Sequence, residues 1–450
     1  MSLHRRTVLG AGLAAAAATL AGCREVVRSA TSGPTAGPSP SAASPRPAAG
    51  RVTAPRAATS ATTGTPVTSA DRRLLRELDR HLVPTSANPK HPAYAGAVAL
   101  CQVNGTTTAR ARVGKALRYG AGPVLLPESK QVAMRPDSIF DLASITKVYT
   151  AILALQQVDK GRLDLHAPVA EYLPAFTGTG KTRVTVAMLL AHTSGLPVGA
   201  KVAGLPDDAA RRAAVLATPL VSGAIPGTVF RYSSVGLMVL AFLVEQVTGQ
   251  RLDQALTTGL TGPLGLKDTG FNPKTWLSAS DQASRLVATD ARSSRGLLRG
   301  VVHDDVANHM GGIAGHAGIF STAAEVAVIG QLLLNGGIHN GTRILSEEIT
   351  RQMLTNVNTG LPAVDPERPN RTAAHGLGVV LDQPWFMGRL SSPRTFGHTG
   401  FTGTSLVVHP DRRVVLVLLT NRAHPNWSWA NPDPVRVAVA NAVSAAATPR

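Results

Sequence analysis

Ser144 and Lys147 stand at the head of an apolar run, Val148-Tyr149-Thr150-Ala151-Ile152-Leu153-Ala154-Leu155, that reads as helix until Gly161. That spacing puts a hydroxyl and an amine one turn apart on one helical face. A lysine amine ordinarily titrates at about 10.4. Burial and the positive end of a helix both disfavour the charged form, and a neutral amine can take the proton of a neighbouring serine. The helix start also carries backbone N–H groups without an intrahelical partner, and that of Ser144 can face a developing oxyanion. The chemistry in view is nucleophilic attack by Ser144 with Lys147 as base. Ser-x-x-Lys alone is short, and a capping serine followed by a surface lysine has the same spelling.

Two later stretches supply further parts. Arg231-Tyr232-Ser233-Ser234 precedes a second apolar helical pattern. A phenol held between a lysine and a serine can relay a proton from the nucleophile to the leaving group. His398-Thr399-Gly400-Phe401 leads, after Thr402-Gly403, into a strand-like run. An edge strand beside the nucleophile offers a backbone N–H as a second oxyanion donor. Gly400 would let a substrate backbone approach, and His398 and Thr399 would hydrogen-bond its carboxylate or carbonyl.

The elements that must position these residues follow from periodicity. Residues 71–83 place Leu74, Leu75, Leu78 and Leu82 on one helical face, with Pro84 closing the helix. A strand over 95–103, a turn at Asn104-Gly105 and an antiparallel partner to about Gly120 come next. Helical patterns dominate from about Leu163 to Gly270, and strands return over 404–408 and 413–419. Asp433-Pro434 opens a last helix, the aspartate as cap. The expected fold is mixed α/β (α+β): an antiparallel sheet flanked by N- and C-terminal helices, with residues 71–160 and 300–448 in the sheet part and a mostly helical insertion over 161–299. A seam between two such parts is a favoured place for an active site.

The N-terminus reads as an address. His4-Arg5-Arg6-Thr7-Val8-Leu9 resembles a twin-arginine export signal, followed by an apolar stretch too short to span a bilayer. Leu20-Ala21-Gly22-Cys23 resembles a bacterial lipobox, so residues 1–23 are expected to be a signal and Cys23 the lipidated residue holding the protein on the outer face of the cytoplasmic membrane. Residues 24–70, rich in Ala, Ser, Thr and Pro, are expected to be a disordered tether. Cys101 is the one other cysteine, so an acylated Cys23 leaves no intrachain disulfide. The net charge of +18 comes from scattered arginines, and aromatics make up 4% of the chain. That pattern lacks the clustered basic and aromatic residues of a nucleic-acid surface and fits attraction to anionic lipid or cell wall.

In the order Ser144–Lys147, Tyr232–Ser234 and His398–Gly400, the chain resembles the serine β-lactamase and penicillin-binding protein superfamily, in its class C and D,D-peptidase branch. The stretches 189–196, Pro226-Gly227, 263–266 and 311–322 support the likeness, which covers roughly residues 72–447. The resemblance implies an acyl-enzyme on Ser144, Lys147 and Tyr232 as the base system, and the N–H groups of Ser144 and Phe401 around the oxyanion. Two departures matter. Ser234 stands where an asparagine amide is usual, a contact worth about 1–3 kcal/mol in a buried site. His398 stands where many members carry lysine and is a weaker carboxylate anchor.

His303, His309 and His316, with Asp304 and Asp305, invite a metal reading, but no common metal-ligand spacing is present, and the resemblance makes His303, Asp304 and His316 cleft-lining residues, with Val306 in place of a usual asparagine. No metal or cofactor is expected. The leading expectation is a serine hydrolase acting on an amide or ester, of D,D-carboxypeptidase or esterase type, on a small-molecule or peptidoglycan-derived substrate. The alternatives are a true class C-like β-lactamase and a non-catalytic lipoprotein that binds a cell-wall fragment or β-lactam.

Overall fold

The strands Ser405–His409 and Val414–Thr420 are buried at every position, and successive side chains point alternately into the two cores on either side of the sheet. The computed structural model describes residues 68–366 and 368–445; the signal, Cys23 and nearly all of the tether lie outside them. Its main sheet is built from β1 (Gly96–Val103), β2 (Thr106–Leu117), β3 (Val132–Ala133), β4 (Val380–Leu381), β5 (Phe396–Thr399), β6 (Ser405–His409) and β7 (Val414–Thr420). The order is β4-β5-β6-β7-β1-β2-β3, antiparallel throughout. Asn104 and Gly105, both at positive φ, turn the β1–β2 hairpin. β7 runs beside β1 from Ala97↔Thr420 to Val103↔Val414, which joins the two ends of the chain in one sheet.

Five helices frame it: α1 (Ser69–Asp79), α2 (Thr146–Asp159), α3 (Ser234–Thr248), α4 (Ala323–Leu334) and α5 (Asp433–Ser444). Ala97, Ala99, Cys101, Val407, Leu416 and Leu418 share one core with Leu74 and Leu78 of α1 and Val435, Val439 and Val443 of α5. Val98, Leu406, Val408, Val415, Val417 and Leu419, on the opposite face, share the second core with α2, α3 and α4. α4 lies close because Gly330 has no Cβ: one there would sit 2.6 Å from Val415 Cγ1. α2 is buried from Thr146 to Gln157 and α3 from Ser234 to Val244, so both are covered on all sides. Truncating one of their leucines to alanine would cost about 2–5 kcal/mol.

Several boundaries differ from the sequence reading. α1 begins with Thr68 as its cap, whose hydroxyl accepts from the Asp71 N–H, and it ends at Asp79, ahead of Pro84. The cap of α5 is Pro432. Asp433 is the first helical residue, and its carboxylate pairs with Arg436 and Arg368 instead of capping the helix. Helices are the main regular structure of residues 161–299, although loops take up about half of the segment, and it also carries Gly270–Phe271, which joins Phe140–Asp141 and Ile319–Ser321 in a three-stranded sheet. That small sheet delivers the chain to Ser144.

Candidate active site

The turn that presents Ser144 is under backbone strain. Ala143 has φ +47°, a left-handed conformation that a residue with a Cβ adopts at a cost of about 1–3 kcal/mol. Contacts from distant segments hold it there. The Asp141 carboxylate accepts the Ala143 N–H (2.8 Å) and the His303 N–H (2.7 Å). The Asp141 carbonyl accepts Thr402 Oγ1 (2.8 Å), the Leu142 carbonyl accepts Thr404 Oγ1 (3.1 Å), and the Leu142 N–H reaches the Ile319 carbonyl (2.9 Å). Burial pushes the Asp141 carboxyl above its usual range, against the pull of those two N–H groups. Ser144 lies in a 3₁₀ turn, Ala143–Ile145, that runs directly into α2, and it is only partly buried.

Lys147, one turn on, is fully buried. Its Nζ lies 2.9 Å from Ser144 Oγ and donates to the His316 carbonyl at 2.9 Å. His316 Nε2 contacts Asp304 Oδ1 at 2.9 Å, and Asp304 also caps the short helix Asp305–His309. Burial lowers the His316 imidazole. Burial alone would raise the Asp304 carboxyl, but His316, the Ala307 N–H and Lys147 hold it well below the usual carboxylate range. His303 places its ring 3.4 Å from Asp290 and 5.3 Å, centroid to centroid, from Phe401. His303, Asp304 and His316 thus back the Ser144 turn and Lys147, and each imidazole faces its own carboxylate.

Tyr232 forms the opposite wall. The Lys147 ammonium lies 5.0 Å from the centroid of its ring. His192 packs against the phenol at 4.6 Å between centroids, and His398 lies at 6.3 Å. His192 has φ +58°, a second strained residue, and its Nδ1 accepts the Ser233 N–H (3.1 Å). Burial holds His192 and His398 well below their ordinary values and His375, behind His192, down to about 3. These three imidazoles are neutral at physiological pH. Ser234, the first residue of α3, is buried, and Ser233 caps that helix through the Gly236 N–H (2.9 Å).

The third motif differs from the sequence reading in three ways. Its strand, β5, is not an edge strand; β4 covers it at Phe396 and Gly397 and stops short of His398 and Thr399. His398 Nδ1 faces the Thr399 carbonyl at 2.8 Å and must donate to it, so only the acceptor Nε2 remains. A neutral ring offering a lone pair cannot anchor a carboxylate. At Gly400 the room for a Cβ is filled by Thr404 Oγ1 and the Leu142 carbonyl, so the missing Cβ admits the chain's own loop packing on that side instead of a substrate backbone.

Sequence reading missed several residues. Asp141, Thr402 and Thr404 fasten the nucleophile turn to the loop after β5. Arg436 of α5 donates to the carbonyls of Gly400 (2.6 Å) and Thr404 (3.0 Å) while paired with Asp433 (2.7 Å), and so sets the loop that carries Phe401. Burial lowers its guanidinium to about 10. The visible signal was an arginine on the apolar face of a terminal helix, three residues after an aspartate. Phe401 itself is exposed at the mouth, against Trp427 and the Arg422 guanidinium.

The family model described as Beta-lactamase matches residues 89–441. A protein of Escherichia coli (strain K12) named "Putative D-alanyl-D-alanine carboxypeptidase" is 33% identical over 344 residues, covering 69% of this chain and 74% of its own length. A penicillin-binding protein homologue from Caulobacter crescentus superposes with a TM-score of 0.63 at 20% identity, over 85% of this chain and 99% of its own. A D-amino acid amidase from Ochrobactrum anthropi SV3 does so with a TM-score of 0.62 at 18% identity, over 84% of this chain and 100% of its own. At such identities the two structures attest the fold.

Proposed function

This chain belongs to the beta-lactamase family as a serine hydrolase, and from that premise we propose that it forms an acyl-enzyme on Ser144 with a D-Ala-D-Ala-type peptide or a small ester. The observation that carries the proposal is the 2.9 Å approach of the buried Lys147 amine to Ser144 Oγ, with the Tyr232 ring 5.0 Å from the same amine. Lys147, as the free amine, takes the Ser144 proton while Oγ bonds to the substrate carbonyl carbon. The carbonyl oxygen becomes an oxyanion between the N–H groups of Ser144 and Phe401. Tyr232 relays the proton to the leaving amine or alkoxide as its bond to carbon breaks. Water then attacks the ester, releases the acid and returns the proton to Ser144.

Two features favour small esters over β-lactams, and a D-Ala-D-Ala peptide, which carries the same acylamino and carboxylate groups, shares the handicap. Ser234 has no side-chain amide for an acylamino group, and His398 presents a neutral acceptor where a cation would hold the ring carboxylate. The E. coli relative's name is what favours the peptide. We further propose that Arg5-Arg6 directs export and that acylated Cys23 holds the enzyme at the outer face of the cytoplasmic membrane, within reach of peptidoglycan. Detergent phase partition of full-length protein, lost in Cys23→Ser, tests the anchor.

Intact-mass measurement after a fluorophosphonate or penicillin tests the acyl-enzyme. An adduct that vanishes in Ser144→Ala supports it; no adduct from any acylating probe leaves the binding-protein alternative. Turnover of nitrocefin, nitrophenyl esters and D-Ala-D-Ala peptides ranks the substrates, and efficient nitrocefin hydrolysis with idle esters and peptides reverses the proposed preference.

A further inference from the structure

The segment that opens at Ala363 meets the Tyr232 motif where Ala363 and Val364 pair in parallel with Phe230 and Arg231. From this segment Arg371 turns inward. Its guanidinium carbon lies 4.8 Å from the Phe230 ring centroid, 5.9 Å from that of Tyr232 and 6.0 Å from that of Trp385. Nη1 donates to Asp365 Oδ2 at 3.0 Å, and the two side chains are 7% and 10% exposed, so Arg371 is sealed from substrate.

The polar side chains facing the phenol are Lys147 from α2, His192 from the turn after Leu190, His398 from β5 and Arg371. His375 stands behind His192, and Asp365 stands behind Arg371. Both imidazoles that face the phenol are uncharged, so positive charge reaches it from Arg371 and, once it has taken the Ser144 proton, from Lys147. Arg371 Nε is buried without a hydrogen-bond partner among the described residues, as is Nε of Arg436.

We propose that Arg371 is a positioning residue for the reaction. Its guanidinium packs against the Tyr232 ring and supplies, from behind the site, positive charge that the neutral His398 does not. The role is electrostatic: a cation about 6 Å away favours any state in which the phenol carries negative charge as it passes a proton. Asp365 tempers that field. The inference rests on Tyr232 acting as the relay.

The ion pair allows a test that separates charge from architecture. A structural pair loses its function whichever partner is removed. For the electrostatic role the partners are opposites. Arg371→Gln is expected to lower the acylation rate with a nitrophenyl ester by about 10- to 100-fold with little change in KM. Asp365→Asn, which leaves the cation untempered, is expected to acylate at the parental rate or faster. Equal losses in the two variants, in step with their melting temperatures, overturn the proposal.

Should Asp365→Asn not fold, the Tyr232→Phe background decides. There Arg371→Gln should add less than about threefold, because its effect passes through the phenol. A loss as large as in the parent overturns the role of Arg371 and leaves Tyr232 standing. A Tyr232→Phe variant as fast as the parent overturns the relay, and Arg371 with it.

Discussion

The two walls of the cleft are built differently. On the nucleophile wall, Ala143, Leu142, Lys147 and the loop after β5 are joined by buried hydrogen bonds of 2.6–3.1 Å. On the tyrosine wall the backbone is hydrogen-bonded, but Tyr232 sits among His192, His398, Lys147 and Arg371 at 4.6–6.3 Å. Each wall holds one non-glycine residue at positive φ, Ala143 and His192. Hydrogen bonds are directional and fix an atom to tenths of an ångström, which in-line attack by Ser144 requires. Ring packing and charge tolerate small displacements and set a field, which suffices for proton relay.

The contrast predicts unequal responses. Lys147→Ala should break the nucleophile wall's chemistry most, slowing acylation by about 10³-fold or more while circular dichroism stays unchanged; a loss below about tenfold removes Lys147 as the base. Arg436→Met removes a buried cation and one charge-assisted hydrogen bond from each of the Gly400 and Thr404 carbonyls, while Asp433 keeps Arg368, so urea unfolding should show a loss of about 1.5–3 kcal/mol. A loss under about 1 kcal/mol would mean that the loop after β5 holds itself. Tyr232→Phe, which keeps the ring, should slow acylation by about 10²-fold with an unchanged melting temperature; a fall in stability instead would make the phenol a packing element.

The tyrosine wall is also the more sensitive to acid. His192, His375 and His398 are held neutral in the folded protein, so below the unfolded histidine value of about 6.5 the unfolded chain binds protons that the folded chain does not. Stability is then present above that pH and is lost as pH falls, each imidazole contributing up to about 1.4 kcal/mol per pH unit down to its folded value, about 3 for His375. Urea titrations between pH 7.5 and 4.5 check the slope, and a flat profile would contradict the neutral assignment. The smallest effect belongs to Ala143→Gly, which relieves a left-handed residue and should stabilise the fold by up to about 1 kcal/mol in the same titration.

Much of this site is written in short-range sequence. Ser144 and Lys147 are set one turn apart by helical geometry alone, whatever the rest of the chain does, and the unbroken apolar runs at 406–408 and 414–419 already mark strands buried on both faces. Capping by Ser233 and the turn at Asn104-Gly105 are equally local. Other features belong to the tertiary structure, because they depend on segments that meet only on folding. The charge of His398 is decided by desolvation and by the Thr399 carbonyl. The need for glycine at 400 comes from Leu142, the setting of the Phe401 loop from Arg436, and the second cation at Tyr232 from Arg371. Spacing along the chain carries bond geometry, whereas solvent exclusion and electric field are sums over every neighbour, and a sequence does not name neighbours that lie hundreds of residues away.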